Sequence, residues 1–174
     1  AGKEAYIYLK MNNIVDSEMI SLLYDASNAG VKIKMIIRGI CSLVTHIAGV
    51  SENIEAISIV DKFLEHGRLF IFCNGGDEKY FISSADWMTR NLDHRSETAV
   101  QVYDKSIKNQ LKSIFEIQWN DNTKARVINS RQDNQYKAAD AKVKLRAQDA
   151  IYKFLKQAST TNLNKEGRIE VSSN

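Results

Sequence analysis

Hydrophobic and polar positions follow two rhythms along this chain of 174 residues. In residues 4–10, Ala5, Ile7 and Leu9 alternate with Glu4, Tyr6 and Tyr8, the period of two expected of a strand with distinct faces. Asp16 and Ser17 then offer side-chain oxygens to cap a helix, and Glu18 suits the positive end of its dipole. Met19, Leu22, Leu23 and Ala26 fall at helical spacing before Gly30, which predicts a helix of about three turns. Residues 31–37 are apolar and β-branched, with Lys32 and Lys34 alternating at their start, and form a second strand. Strand, helix and strand in this order make a βαβ unit, with parallel strands and a right-handed crossover.

Residues 41–53 carry Gly49, Ser51 and Asn53 and read as a loop, whereas residues 54–66 suit a strand or a short helix equally. Residues 69–73 form a buried strand. Asn74-Gly75-Gly76-Asp77 tolerates positive φ and turns the chain into a further strand over residues 79–82, completing a hairpin. After a polar, irregular stretch over residues 83–95, alternation returns in residues 96–103. Asp104 can cap a helix whose Ile107, Leu111, Ile114 and Phe115 make one apolar stripe, with Lys105, Lys108 and Lys112 elsewhere on its surface. Residues 124–129 suit a short edge strand, and Ala147, Ile151, Phe154 and Leu155 define a last amphipathic helix. The expectation is a single α/β domain over residues 1–156, a mixed sheet flanked by helices, followed by a mobile polar tail over residues 157–174.

Composition narrows the class. Hydrophobic residues at 44% and charged residues at 26% exclude disorder for most of the chain. No apolar run approaches the roughly 18 to 20 residues of a membrane helix, and the first residues lack a secretory pattern. Two cysteines, Cys41 and Cys73, are too few for a disulfide framework, so free thiols in a cytoplasmic setting are expected. A net charge of +3 favours anionic partners mildly and does not call for nucleic acid. Proline is absent where about 5% usage would supply roughly nine, leaving turns to Gly, Asn and Asp.

The residues able to carry chemistry are few. No phosphate-binding glycine loop, dinucleotide fingerprint, C-x-x-C or H-E-x-x-H occurs, and no metal cage of protein ligands is expected. Among the histidines, His46 and His94 suit the surface. His66 stands between Glu65 and Gly67-Arg68, where imidazole can accept a phosphoryl group or protonate a leaving oxygen, or can serve as a hydrogen-bonded structural residue. Arg38 directly follows the second strand, at the end where open α/β sheets gather ligands. Arg38, Arg68, Arg90 and Arg95 all suit phosphate through their forked donors, yet Asp86, Asp93 and Glu97 could bind the same arginines as structural ion pairs. Ser83-Ser84-Ala85-Asp86-Trp87 places hydroxyl groups just past a strand, as an anion cradle or a capped turn.

Taken together, residues 30–41 with their Ile37-Arg38-Gly39-Ile40-Cys41 run, Ser51-Glu52-Asn53-Ile54, residues 58–66 ending Leu64-Glu65-His66, and residues 83–95 closely resemble the C-terminal region of bacterial polyphosphate kinase. The resemblance runs in order from residue 2 to residue 156. It implies a phospholipase D-like domain, the second of two that face each other in an enzyme moving the γ-phosphate of ATP reversibly onto inorganic polyphosphate with Mg²⁺. The phosphorylated histidine would belong to the preceding domain, and this chain alone would not turn over. The resemblance casts Arg38 as an ATP-phosphate contact, His66 as a second active-site histidine and Arg95 as a further phosphate contact, with Ser84 and Arg90 as neighbours. The partners it implies are ATP or ADP, polyphosphate, the preceding domains and other copies in a homo-oligomer. Magnesium ligands are expected outside the chain. The parent could associate peripherally with membrane.

The chain departs from the family pattern in its Thr45-His46-Ile47-Ala48-Gly49 loop, in Cys41-Ser42, and in His66-Gly67-Arg68 where hydrolytic phospholipase D enzymes carry H-x-K. The competing readings are a non-catalytic polyanion-binding module and, against that last departure, a phosphodiesterase of the phospholipase D type.

Overall fold

A computed structural model describes residues 2–137 and 142–166. The chain runs β1 (Tyr6–Met11), α1 (Ser17–Asn28), β2 (Lys32–Ile37), β3 (Ile54–Ile59), β4 (Arg68–Phe72), β5 (Lys79–Ser83), α2 (Thr89–Leu92), β6 (Ala99–Val102), α3 (Lys105–Trp119), β7 (Ala125–Ile128) and α4 (Ala147–Glu166). The strands form one mixed sheet of seven in the order β6-β5-β4-β1-β2-β3-β7. The expected βαβ opening is present: β1 and β2 pair in parallel with Tyr6 opposite Lys32 and Met11 opposite Ile37. β3 continues the parallel set beside β2, while β4 runs antiparallel to β1.

Both faces of the sheet are covered, one by α1 and the other by α3 and α4. Leu9, Met11, Ile33, Met35 and Ile37 pack with Leu23 and Met19 of α1 on one face. Ile36, Ile57, Ile71 and Tyr80 pack with Phe115 and Trp119 of α3 and with Ala147 and Ile151 of α4 on the other. Tyr8 stacks on Phe115 at 5.1 Å between centroids, so the polar-seeming tyrosines of β1 are half-buried wall residues. Asp16 and Asp104 cap α1 and α3 as their side chains predict, accepting from the Met19 N–H at 3.1 Å and the Ile107 N–H at 2.9 Å.

The open choice over residues 54–66 resolves into β3 followed by a loop that ends at β4. The chain leaves the sheet at Val60, which is 69% exposed, and Phe63 and Leu64 are exposed as well, so the apolar run does not continue as a strand. The last helix runs on to Glu166, well past Leu155, because helix formation tolerates the polar residues once an apolar stripe has docked its first turns. The rest of the expected tail, residues 167–174, lies outside the described residues. Among the described residues, no helix is long and apolar enough to cross a membrane.

Candidate active site

The registers place the carboxyl ends of β1, β2 and β3, the start of β4 and the end of β5 at one edge of the sheet. At this edge the parallel strands run out and their loops converge: the Ile14 N–H donates to Ile40 O at 2.9 Å and the Val15 N–H to Trp87 O at 2.8 Å. Three segments, after β1, β2 and β5, are thereby stitched together by backbone alone. Arg38, His66 and Asp86 sit on or beside them.

Asp86 is the centre. It is 4% exposed, and its carboxylate accepts from the Asn12 N–H at 2.8 Å, Asn12 Nδ2 at 3.1 Å and Asn13 Nδ2 at 3.0 Å. Arg68 grips it with two nitrogens, Nε to Oδ1 at 3.0 Å and Nη2 to Oδ2 at 3.3 Å. Burial by itself would raise the Asp86 carboxyl, but Arg68, Asn12 and Asn13 together outweigh it and hold the group at about 2. Of the alternatives left open for Arg68, phosphate contact or structural ion pair, the structure shows the ion pair, with Asp86.

His66 lies against the other side of that guanidinium. Its Nδ1 is 3.4 Å from Arg68 Nη1 and its Nε2 is 3.3 Å from Arg68 Nη2, while Arg68 Nη1 also donates to His66 O at 3.1 Å. Guanidinium N–H groups thus approach both ring nitrogens from one side, while the imidazole as a whole stays exposed to solvent. Arg38 stands on the next loop. Its Nε donates to Asn12 Oδ1 at 2.9 Å, and among the described residues its terminal Nη groups have no hydrogen-bond partner. Gly39 allows this crossing, since a Cβ there would stand 2.6 Å from Asn13 Oδ1 and 3.0 Å from Asn12 O.

The His66 loop is held from outside the sheet. Arg146, just before α4, donates to both oxygens of Asp61 at 2.8 and 2.6 Å. The Gln148 side chain brackets Phe63, accepting from its N–H at 3.0 Å and donating to its carbonyl at 2.8 Å. Glu65 takes hydrogen bonds from Gln118 and Gln148 and faces Lys10 at 3.6 Å. Burial, opposed in part by Glu65, draws the Lys10 ammonium below its usual range. Lys10, Glu65, Gly67 and Arg68 form the polar end of a groove of about 500 Å³ whose walls include Leu69, Ile82, Leu111 and Ile114.

Of the other residues singled out from the sequence, Ser84 belongs to this edge but its hydroxyl is engaged by Glu97 and by the Thr98 N–H at 3.0 Å. Glu97 is held low by Ser84 and Asn91, with Arg95 and Arg68 adding to the effect. Arg95 is exposed and, among the described residues, makes no hydrogen bond or ion pair with Glu97 or Asp86. Arg90 is exposed on α2 and, among the described residues, has no hydrogen-bond or ion-pair partner that ties it to Asp86. Asn12, Asn13 and Lys10 escaped sequence reasoning; the available signal was their position at the end of β1, matching that of Arg38 after β2. His46 and His94 are on the surface. Among the described residues no three metal-ligating side chains cluster, and the carboxylates of Asp86 and Glu65 are taken up by internal donors, so this edge does not fit a magnesium ion of its own.

The seven-stranded mixed sheet, with its loops converging at the carboxyl ends of the parallel strands, has the phospholipase D-like fold. Nuc from Salmonella typhimurium, a phospholipase D family member, superposes with a TM-score of 0.56 over 74% of this chain and 85% of that one, at 16% identity, a likeness of fold alone. Sequence narrows the class further. Residues 1–148 match the family model for polyphosphate kinase C-terminal domain 2, and the chain belongs to the polyphosphate kinase family as its C-terminal domain. It is 50% identical to the polyphosphate kinase of Vibrio vulnificus over 174 residues, and 46% identical to that of Escherichia coli K12 over 155 residues. The crystal structure of polyphosphate kinase from Porphyromonas gingivalis covers 92% of this chain with a TM-score of 0.89 at 48% identity. The chain spans about a quarter of the length of these relatives, 25% of the Vibrio protein and 24% of the Porphyromonas one.

Proposed function

We propose that this domain supplies one wall of the active site of an ATP:polyphosphate phosphotransferase, working with a preceding domain of the same polypeptide that carries the phosphorylated histidine. In that reaction the terminal phosphoryl group passes from ATP to the histidine nitrogen, releasing ADP, and then to the end oxygen of a polyphosphate chain, and each step runs in reverse. Such transfer depends on positioning and on neutralising charge more than on covalent work by the protein. Arg38 receives the nucleotide phosphates through its free Nη groups, and the exposed imidazole of His66 meets the oxygen of the transferring or leaving phosphate. Arg95 adds charge from the flank, beside Ser84 and Arg90. Mg²⁺ accompanies the nucleotide phosphates and takes its protein ligands from outside this chain.

The observation that carries this reading is the state of Arg38, a half-buried guanidinium anchored by Nε alone at the edge where His66 opens to solvent. The test is ATP formation from ADP and polyphosphate by the full-length parent enzyme. His66→Ala is expected to lower kcat by roughly a hundredfold or more, and Arg38→Ala to raise the KM for ADP by about tenfold or more. An unchanged rate with His66→Ala in a folded enzyme would reduce the domain to a polyanion-binding module. Hydrolysis of a phosphodiester by the chain would instead favour the phosphodiesterase reading, against which stands Arg68, bound to Asp86 at the place of a hydrolytic lysine.

A further inference from the structure

Among the described residues Arg38 and His66 share no hydrogen-bond partner, yet both are positioned through one buried carboxylate. From Arg38 the path runs Nε to Asn12 Oδ1 at 2.9 Å, then Asn12 Nδ2 to Asp86 Oδ1 at 3.1 Å. From His66 it runs through the Arg68 guanidinium to both oxygens of Asp86. We propose that Asn12 is a positioning residue that aims Arg38 at the nucleotide phosphates, and that Asp86 is the common latch fixing Asn12 for Arg38 and Arg68 for His66. The inference rests on the reading of Arg38 and His66 as substrate contacts.

The chemistry of each partner argues for positioning. Asn12 is 1% exposed, so it cannot meet substrate itself. Its amide is oriented without ambiguity: a carboxylate can only accept, so Nδ2 must face Asp86 and Oδ1 must face the arginine. Fixing Nε defines the plane of the whole guanidinium fork, which is the property that bidentate phosphate binding needs. Asn13 repeats the arrangement on the same carboxylate, with Nδ2 on Asp86 and Oδ1 accepting the Ile40 N–H at 2.9 Å, so the Arg38 loop is held at two points by two consecutive asparagines. A carboxylate bonded to five donors and 4% exposed has no capacity left for substrate, so its influence must pass through the groups it holds.

A double-mutant cycle in the full-length parent enzyme tests this, with KM for ADP and kcat measured in ATP synthesis from polyphosphate. Asn12→Ala is expected to raise KM on the order of tenfold in the wild-type background and less than twofold when Arg38 is already Ala, because a residue that acts through Arg38 has nothing left to aim. Asp86→Asn should raise KM and lower kcat, and only its effect on KM should vanish in the Arg38→Ala background. Asn12→Ser, which keeps a small polar group toward Asp86, runs through the same cycle in case Asn12→Ala folds poorly. Equal factors in both backgrounds overturn the proposal and make Asn12 a structural residue. An Arg38→Ala enzyme with unchanged kinetics overturns it differently, by removing the substrate contact on which it rests.

Discussion

Arg68 holds Asp86 with two nitrogens, Nε at 3.0 Å from Oδ1 and Nη2 at 3.3 Å from Oδ2, and the two side chains are 11% and 6% exposed. A pair this well sheltered is costly to break one side at a time, since the survivor is left buried without its counter-charge. Arg68→Met should therefore destabilise the domain by about 3 kcal/mol and also free the His66 ring, whose guanidinium neighbour is gone. Urea unfolding measures the first effect. Loss of activity in the parent enzyme beyond what the stability change explains measures the second.

The same carboxylate makes stability depend on pH. Its folded-state value, about 2, lies below the ordinary 3.8, so the ionised form stabilises the fold above that ordinary value and the contribution fades as pH falls through about 2. The difference corresponds to about 2 kcal/mol. Urea midpoints taken between pH 5 and pH 2 should fall more steeply for the wild-type domain than for Asp86→Asn, which has no such proton to bind. Parallel profiles would mean that Asp86 is not held low.

Gly39→Ala introduces a methyl group against a backbone carbonyl and an oriented amide. The nearest atoms, Asn13 Oδ1 at 2.6 Å and Asn12 O at 3.0 Å, belong to the segment that bonds Arg38, so the two loops must separate. The expected loss is about 1 to 3 kcal/mol of stability, accompanied by a raised KM for ADP in the parent enzyme. Thermal unfolding and steady-state kinetics check both, and a variant with wild-type KM would show that the loops can part without disturbing Arg38.

Asp121 ties three elements together. It is 0% exposed, Oδ1 accepts from the Thr123, Lys124 and Ala125 N–H groups, and Oδ2 accepts from the Ala147 N–H at the start of α4. Asp121→Ala leaves four donors without their acceptor, those of Ala125 and Ala147 buried, and a loss of about 3 kcal/mol in chemical denaturation is expected. A change below 1 kcal/mol would mean that water replaces the carboxylate.

The Arg146 bracket on Asp61 predicts a dynamic effect. Arg146→Ala should speed amide hydrogen exchange in residues 60–67 while leaving the central strands β1 and β2 protected. Uniform acceleration across the sheet would instead assign Arg146 to global stability.

The elements were legible in the sequence where local pattern and tertiary environment agree. The βαβ opening, the hairpin at Asn74 to Asp77 and the caps Asp16 and Asp104 all follow from short-range chemistry. The positions of Arg38 after β2 and His66 before β4 were legible from the strand pattern. Asn12 was not, because its meaning lies in a contact 74 positions away with Asp86, and no local pattern distinguishes an asparagine that orients an arginine from one that turns a chain. The full extent of α4 was hidden for the opposite reason: residues after Leu155 lack an apolar stripe, and the helix continues from the turns already docked.

Asn12 and Asp86 also bear on when the protein becomes competent. Closing a loop of this span requires β1, β4 and β5 to have found their partners, and such non-local closures come late in folding. A piece of the chain that ends before Asp86 cannot assemble this edge of the sheet. A nascent polypeptide stopped before Asp86 would hold Arg38 with no anchored Asn12 to orient it, so under the proposed function affinity for nucleotide is withheld until the sheet is nearly whole. Recovery of phosphate affinity during refolding should then coincide with recovery of the complete fold.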